Sequence, residues 1–124
     1  MSEQRFGDFV VHYNALPTLA LGEAIAREYG IERAKRRMLI NVVVRRYTDD
    51  GTGNSVAAHV SGEAVNLTGR KAAITFRTIA GEDVGTIGVF DIAGPDTVTI
   101  ALSIRPEGEE RSFALRFSQN IAGE

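Results

Sequence analysis

Two histidines, His12 and His59, are the side chains here best suited to acid–base or metal chemistry near neutral pH. Joined by a carboxylate such as Glu63 or Asp91, they would make a small metal site able to activate water, the chemistry of a hydrolase or a metal-binding protein. No close spacing in the sequence supports that grouping. Each histidine alternates with apolar neighbours, so each is expected on the wet face of its strand. Asp49-Asp50 and Glu109-Glu110 are paired carboxylates in turn-like surroundings and read as solvated turns.

The second chemical feature is cationic. Between Arg33 and Arg46 stand six basic residues (Arg33, Lys35, Arg36, Arg37, Arg45 and Arg46) and no acidic one. Arginine, which outnumbers lysine twelve to two in the chain, suits bidentate pairing with carboxylate or phosphate. Arg33, Lys35, Arg37 and Arg45 are therefore the candidate binding residues for an anionic macromolecule. In an extended chain alternate residues share a face, which would place Arg33, Lys35 and Arg37 together. The competing expectation is that these charges flank and guard the apolar run Met38–Val44. Nucleic acid is not expected, because aromatics are not interleaved with the charges and the chain carries a net charge of −2.

Other chemistries are absent by motif. Cysteine is missing, which excludes disulfides, thiolate nucleophiles, cysteine zinc sites and iron–sulfur clusters. There is no Gly-x-Ser-x-Gly, no His-Glu-x-x-His and no phosphate loop ending in Gly-Lys-Ser/Thr. Gly51-Thr52-Gly53 begins like a dinucleotide fingerprint but has Val56 at the third glycine and lies between strand patterns, so it reads as a hairpin turn. Asn66-Leu67-Thr68 has the glycosylation pattern and reads as a strand-end turn. No cofactor is expected.

The elements that carry these residues are mostly strands. With 124 residues, 44% hydrophobic and 24% charged, the chain is expected to be one globular domain over residues 1–124. Val98, Ile100, Leu102 and Ile104 alternate with Thr97, Thr99, Ser103 and Arg105. Phe113, Leu115, Phe117 and Ile121 form a second such set, with Gln119 the polar exception. Ala72, Ile74 and Phe76 form a third, and Val56, Ala58, Val60 and Ala64 a fourth. Three further strands are expected near Phe6–Asn14, Arg37–Tyr47 and Val84–Ile92, the last at an edge or bulged because of Gly85 and Gly88. One short helix, Glu23–Tyr29, lies between Gly22 and Gly30. The expected fold is mainly β: an immunoglobulin-like antiparallel β-sandwich of about seven strands, with one short helix after the first strand. Its predicted core includes Val42, Val60, Ile74, Phe76, Ile100, Leu102, Leu115 and Phe117. Met38–Val44 is far too short to span a membrane, and Met1–Asp8 has no apolar leader core.

Taken in order, several stretches resemble one family. They are Phe6-Gly7-Asp8-Phe9, Val11-His12-Tyr13-Asn14, Tyr29-Gly30-Ile31-Glu32-Arg33-Ala34-Lys35 and Leu39-Ile40-Asn41-Val42. Val60-Ser61-Gly62, Asn66-Leu67-Thr68-Gly69, Pro106-Glu107-Gly108 and Leu115-Arg116-Phe117-Ser118-Gln119 extend the likeness over nearly the whole chain. The family is an uncharacterised one of small bacterial envelope proteins, domain-of-unknown-function family forty-four twenty-six; its pattern has serine where this chain has Ala34. The resemblance implies a periplasmic or envelope domain from which a leader is removed, and it brings no activity, substrate or cofactor. It also singles out Asn41, Asn66 and Gln119 as polar positions, with Asn41 and Gln119 expected to complete backbone hydrogen bonds. Two functions follow as expectations. The first is a non-catalytic envelope domain that binds another macromolecule. The second is a small-ligand or metal-binding protein using His12 and His59.

Overall fold

The computed structural model describes residues 2–121. Its strands are β1 (Ser2–Phe6), β2 (Phe9–Pro17), β3 (Arg37–Tyr47), β4 (Gly53–Val56), β5 (Ala58–Asn66), β6 (Lys71–Ala73), β7 (Thr75–Ile79), β8 (Gly85–Asp91), β9 (Asp96–Pro106) and β10 (Phe113–Ile121). A 3-10 turn, Thr18–Ala20, and helix α1, Glu23–Glu28, interrupt them between β2 and β3. Two antiparallel sheets result. The larger runs β1-β2-β3-β8-β7, with β4 pairing the far end of β3; the smaller runs β10-β9-β5-β6. The sandwich expected from the alternation is therefore present, with ten strands rather than seven.

The extra strands arise where a polar segment joins the sheet and where one run serves two pairings. Gly7, at φ +61°, lets the mostly exposed segment Ser2–Phe6 fold back on β2 as a hairpin. The run from Lys71 to Ile79 changes sheets at Ile74, so β6 pairs β5 in one sheet and β7 pairs β8 in the other. Ile74 sits buried at that corner. β8 is neither an edge nor bulged: it lies between β3 and β7 with unbroken registers to both. Gly88 is needed for a different reason. The ring of Phe76 crosses it, and a Cβ there would stand 2.7 Å from a methyl of Ile74.

The core fills the space between the sheets. Met38, Ile40, Val42 and Val44 point into it from β3, and Val98, Ile100, Leu102 and Ile104 from β9. Full burial of each such side chain contributes about 1.5–3 kcal/mol. Phe6 stacks on Phe113 at 4.7 Å and Tyr13 tilts over Phe117 at 4.7 Å, so aromatic pairs seal the side where β1 and β2 meet β10. Val42, Ile74, Ile100, Leu102 and Leu115 are buried as expected. Val60, Phe76 and Phe117 are only partly buried and pack on the rim of the core.

Candidate ligand groove

The strands β2 and β3 carry apolar residues on both faces. Their outward residues are Val10, His12, Asn14 and Leu16, paired across the register with Arg45, Val43, Asn41 and Leu39. The neighbouring strand β8 adds Ile87 and Val89 to the same face. An outward surface of this kind needs cover, and residues 18–34 supply it. This excursion leaves the sheet at Thr18 and is clasped shut at its return. The buried Thr18 hydroxyl donates to the Ala34 carbonyl at 3.1 Å and accepts from the Ala34 N–H at 3.1 Å. Arg33 adds a bond to the Leu19 carbonyl at 3.1 Å and pairs with Glu23 at 3.7 Å.

Within the clasped segment, α1 begins after Gly22 and ends at Tyr29, with Gly30 at φ +66° reversing the chain. Six residues cannot hold a helix unaided in water, and the buried Ala26 anchors it to the sheet. The cover is incomplete. Leu21, Ile25 and Tyr29 overhang a groove of about 370 Å³ whose floor is Leu16, Leu39, Asn41, Val43 and Ile87. Ile25 remains 49% exposed and Tyr29 38%.

The groove also carries polar groups. Asn14 lies on its floor directly across from Asn41, and the Asn14 side-chain oxygen is buried with no hydrogen-bond partner among the described residues. Leaving such a group unpaired costs about 1–3 kcal/mol. Among the described residues that line the groove, Asp83 alone is charged. It sits at one end and accepts a bond from Arg45 at 2.9 Å. His12, two residues before Asn14 on the same face, likewise has its Nε2 buried without a partner.

The residues expected to form sites are dispersed. His12 faces outward from the larger sheet and His59 outward from the smaller one, so the two cannot share a metal ion. Among the described residues no group of three histidine, aspartate or glutamate side chains is placed to hold one. The expected row of Arg33, Lys35 and Arg37 does not form, because residues 35–36 turn and Arg36 adopts φ +60°. Three of the four candidate cations are held by the protein itself. Arg33 closes the clasp; Arg37 pairs with Asp91 through two bonds at 2.8 and 3.3 Å; Arg45 holds Asp83. The Asp91 hydrogen bond and its charge keep Arg37 above its ordinary pKa. Lys35 is exposed.

Of the polar positions, Asn66 does structural work as a strand-end turn: its side-chain oxygen accepts from the Thr68 N–H, the Thr68 hydroxyl and the Arg70 N–H. Asn41 and Gln119 make no side-chain hydrogen bond to backbone among the described residues, contrary to expectation, and Asn41 instead lies in the groove. Asn14 and Tyr29 lie in stretches that carry the family resemblance but were not expected to form a site. Ile25 and Tyr29, whose i, i+4 spacing is that of a core-facing pair, remain half exposed at the groove. Their signal was the double-sided apolarity of β3 opposite a short helix.

A ten-stranded antiparallel sandwich with a clasped helical cover on one sheet defines the class of this domain. The chain belongs to the family described as Domain of unknown function (DUF4426), which matches residues 3–122. It is similar to the crystal structure of a member of that family from Pseudomonas aeruginosa PAO1, with 29% identity and a TM-score of 0.83 over 99% of this chain and 95% of that one. Comparison with the curated proteins finds no match. No helix among the described residues is long and apolar enough to cross a membrane.

Proposed function

We propose that this chain is a non-catalytic binding domain of the bacterial envelope, and that it holds a segment of a macromolecular partner in the groove beneath α1. One observation carries the reading: an apolar groove left open to solvent and lined by Asn14, whose side-chain oxygen is buried with no partner among the described residues. The lining is chiefly leucine, isoleucine, valine, tyrosine and asparagine, side chains suited to binding and orienting a ligand. Its one carboxylate, on Asp83, gives one oxygen to Arg45. The envelope location is supported by the family resemblance.

Ile25→Asp places a charge on the half-exposed overhang, and His59→Asp places one on the opposite face. Wild type and His59→Asp should retain one stoichiometric partner from an extract of the source envelope, and Ile25→Asp should lose it at an unchanged melting temperature. Equal recovery from all three proteins would reject the groove as the binding site.

A further inference from the structure

We infer that the groove receives an extended peptide segment, its backbone gripped by Asn14 and Asn41 and a basic side chain directed to Asp83. This rests on the groove reading and names the chemistry of its occupant. Asn14 and Asn41 stand opposite each other in the β2–β3 register and present two side-chain amides to the groove. An amide offers a carbonyl and an NH2 edge side by side. Its complement, whichever way it is turned, is another amide; a carboxylate meets only the NH2 and an ammonium only the carbonyl. In an extended chain the N–H and C=O of one residue point to the same side and supply both halves, and that N–H satisfies the Asn14 oxygen that has no partner among the described residues.

Dimensions agree. Leu39, Asn41 and Val43 succeed one another along the floor, four residue steps or about 13 Å of strand, which accommodates about four residues of extended chain. Leu21, Ile25 and Tyr29 above, with Ile87 below, enclose apolar side chains. Charge sets the direction. Asp83 gives one oxygen to Arg45, its side chain is 55% exposed, and no cation lines the groove among the described residues. By contrast, the cavity at the end of the sandwich is lined by Arg70 and Lys71 together with Asp91 and Asp96, and so favours neither sign.

The test is a backbone-amide NMR titration of the whole chain with acetyl-Leu-Val-Lys-amide, acetyl-Leu-Val-Glu-amide and hexylamine. The lysine peptide should shift the amides of Asn14, Asn41, Val43 and Ile87, and bind about fivefold more tightly than the glutamate peptide. Asp83→Asn should remove that preference. Asn14→Leu should weaken the lysine peptide about tenfold while raising the melting temperature of the free protein, because it deletes an unsatisfied buried group. Asn41→Leu provides the same binding test should the first variant not fold. Hexylamine matching the peptide within the groove would overturn the peptide assignment and leave the groove standing. Equal binding of both peptides overturns the role of Asp83, and a lower melting temperature for Asn14→Leu overturns that of Asn14. Shifts confined to other surfaces, or none with any probe, overturn groove and peptide together.

Discussion

The two sheets share one core but turn very different faces outward. On the smaller sheet, β5, β9 and β10 present His59, Ser61, Glu63, Thr99, Ser103, Arg105, Arg116 and Ser118, a polar surface that meets water directly. On the larger sheet, β2, β3 and β8 present Leu16, Leu39, Val43 and Ile87, and a helical excursion has been built across them. Packing alone requires only one apolar face per sheet, as the smaller sheet demonstrates. A second apolar face costs exposure unless covered, and here the cover stops short. The difference leaves uncovered apolar surface on the larger sheet, where the proposed groove lies.

The strongest way to break this comparison is at the clasp. Thr18→Val keeps the shape of the side chain but strands the Ala34 N–H and carbonyl, and should destabilise the fold by about 1–3 kcal/mol in urea denaturation. Ser103→Ala, on the open face, should stay within about 0.5 kcal/mol. Equal losses would mean that the cover contributes nothing the bare face lacks. A smaller effect is expected from replacing Arg33, Lys35 and Arg37 together with glutamine. Arg33 and Arg37 are bound within the protein with side chains 28% and 25% exposed, so the loss should be about 1–2 kcal/mol, while Arg116→Gln on the open face leaves the denaturation midpoint unchanged. No loss in the triple variant would return these side chains to the role of free cations.

The smallest effect belongs to neither face and isolates the acid response. In the turn from β3 to β4, the Thr48 hydroxyl and then the Thr52 N–H bond the Asp50 carboxylate and hold its pKa down to about 2 from the ordinary 3.8. A carboxyl depressed in the folded state stabilises it fully above the unfolded value and loses that contribution as pH falls through the folded one. Asp50→Ala should therefore melt slightly below wild type at pH 6, with the two converging near pH 2. A gap that persisted at pH 2 would assign the effect to turn geometry instead of charge.

Local pattern carried much of the architecture. The alternation in β9 and β10 was readable because each strand has one wet face, and α1 was bounded by the glycines at positions 22 and 30, only its last residue, Tyr29, proving to be the cap. Where pairing is decided at long range, the pattern was silent. Nothing near Ile74 announces a change of sheet, and the Phe6–Asn14 run looks continuous until Gly7 reverses it. The groove was hidden for a related reason. Asn14 occupies an outward strand position, which normally means water, yet its side-chain oxygen is buried and the residue lines a groove with Leu21, Ile25 and Tyr29 of the clasped segment. Charge counting likewise marked Arg37 and Arg45 but could not see Asp91 and Asp83, which lie 54 and 38 residues further along the chain.

The crossing at Ile74 has a mechanical consequence. A sandwich held only by side chains between its sheets can yield by sliding, each layer slipping over oily contacts that reform as they break. Here one covalent strand is stitched into both layers, hydrogen-bonded to β5 on one side of the corner and to β8 on the other. Shear between the layers must strain the ladder bonds on either side of that corner as well as rearrange methyl groups. Tension applied to the polar sheet is thus handed to the sheet that bears the groove, and the two layers yield together.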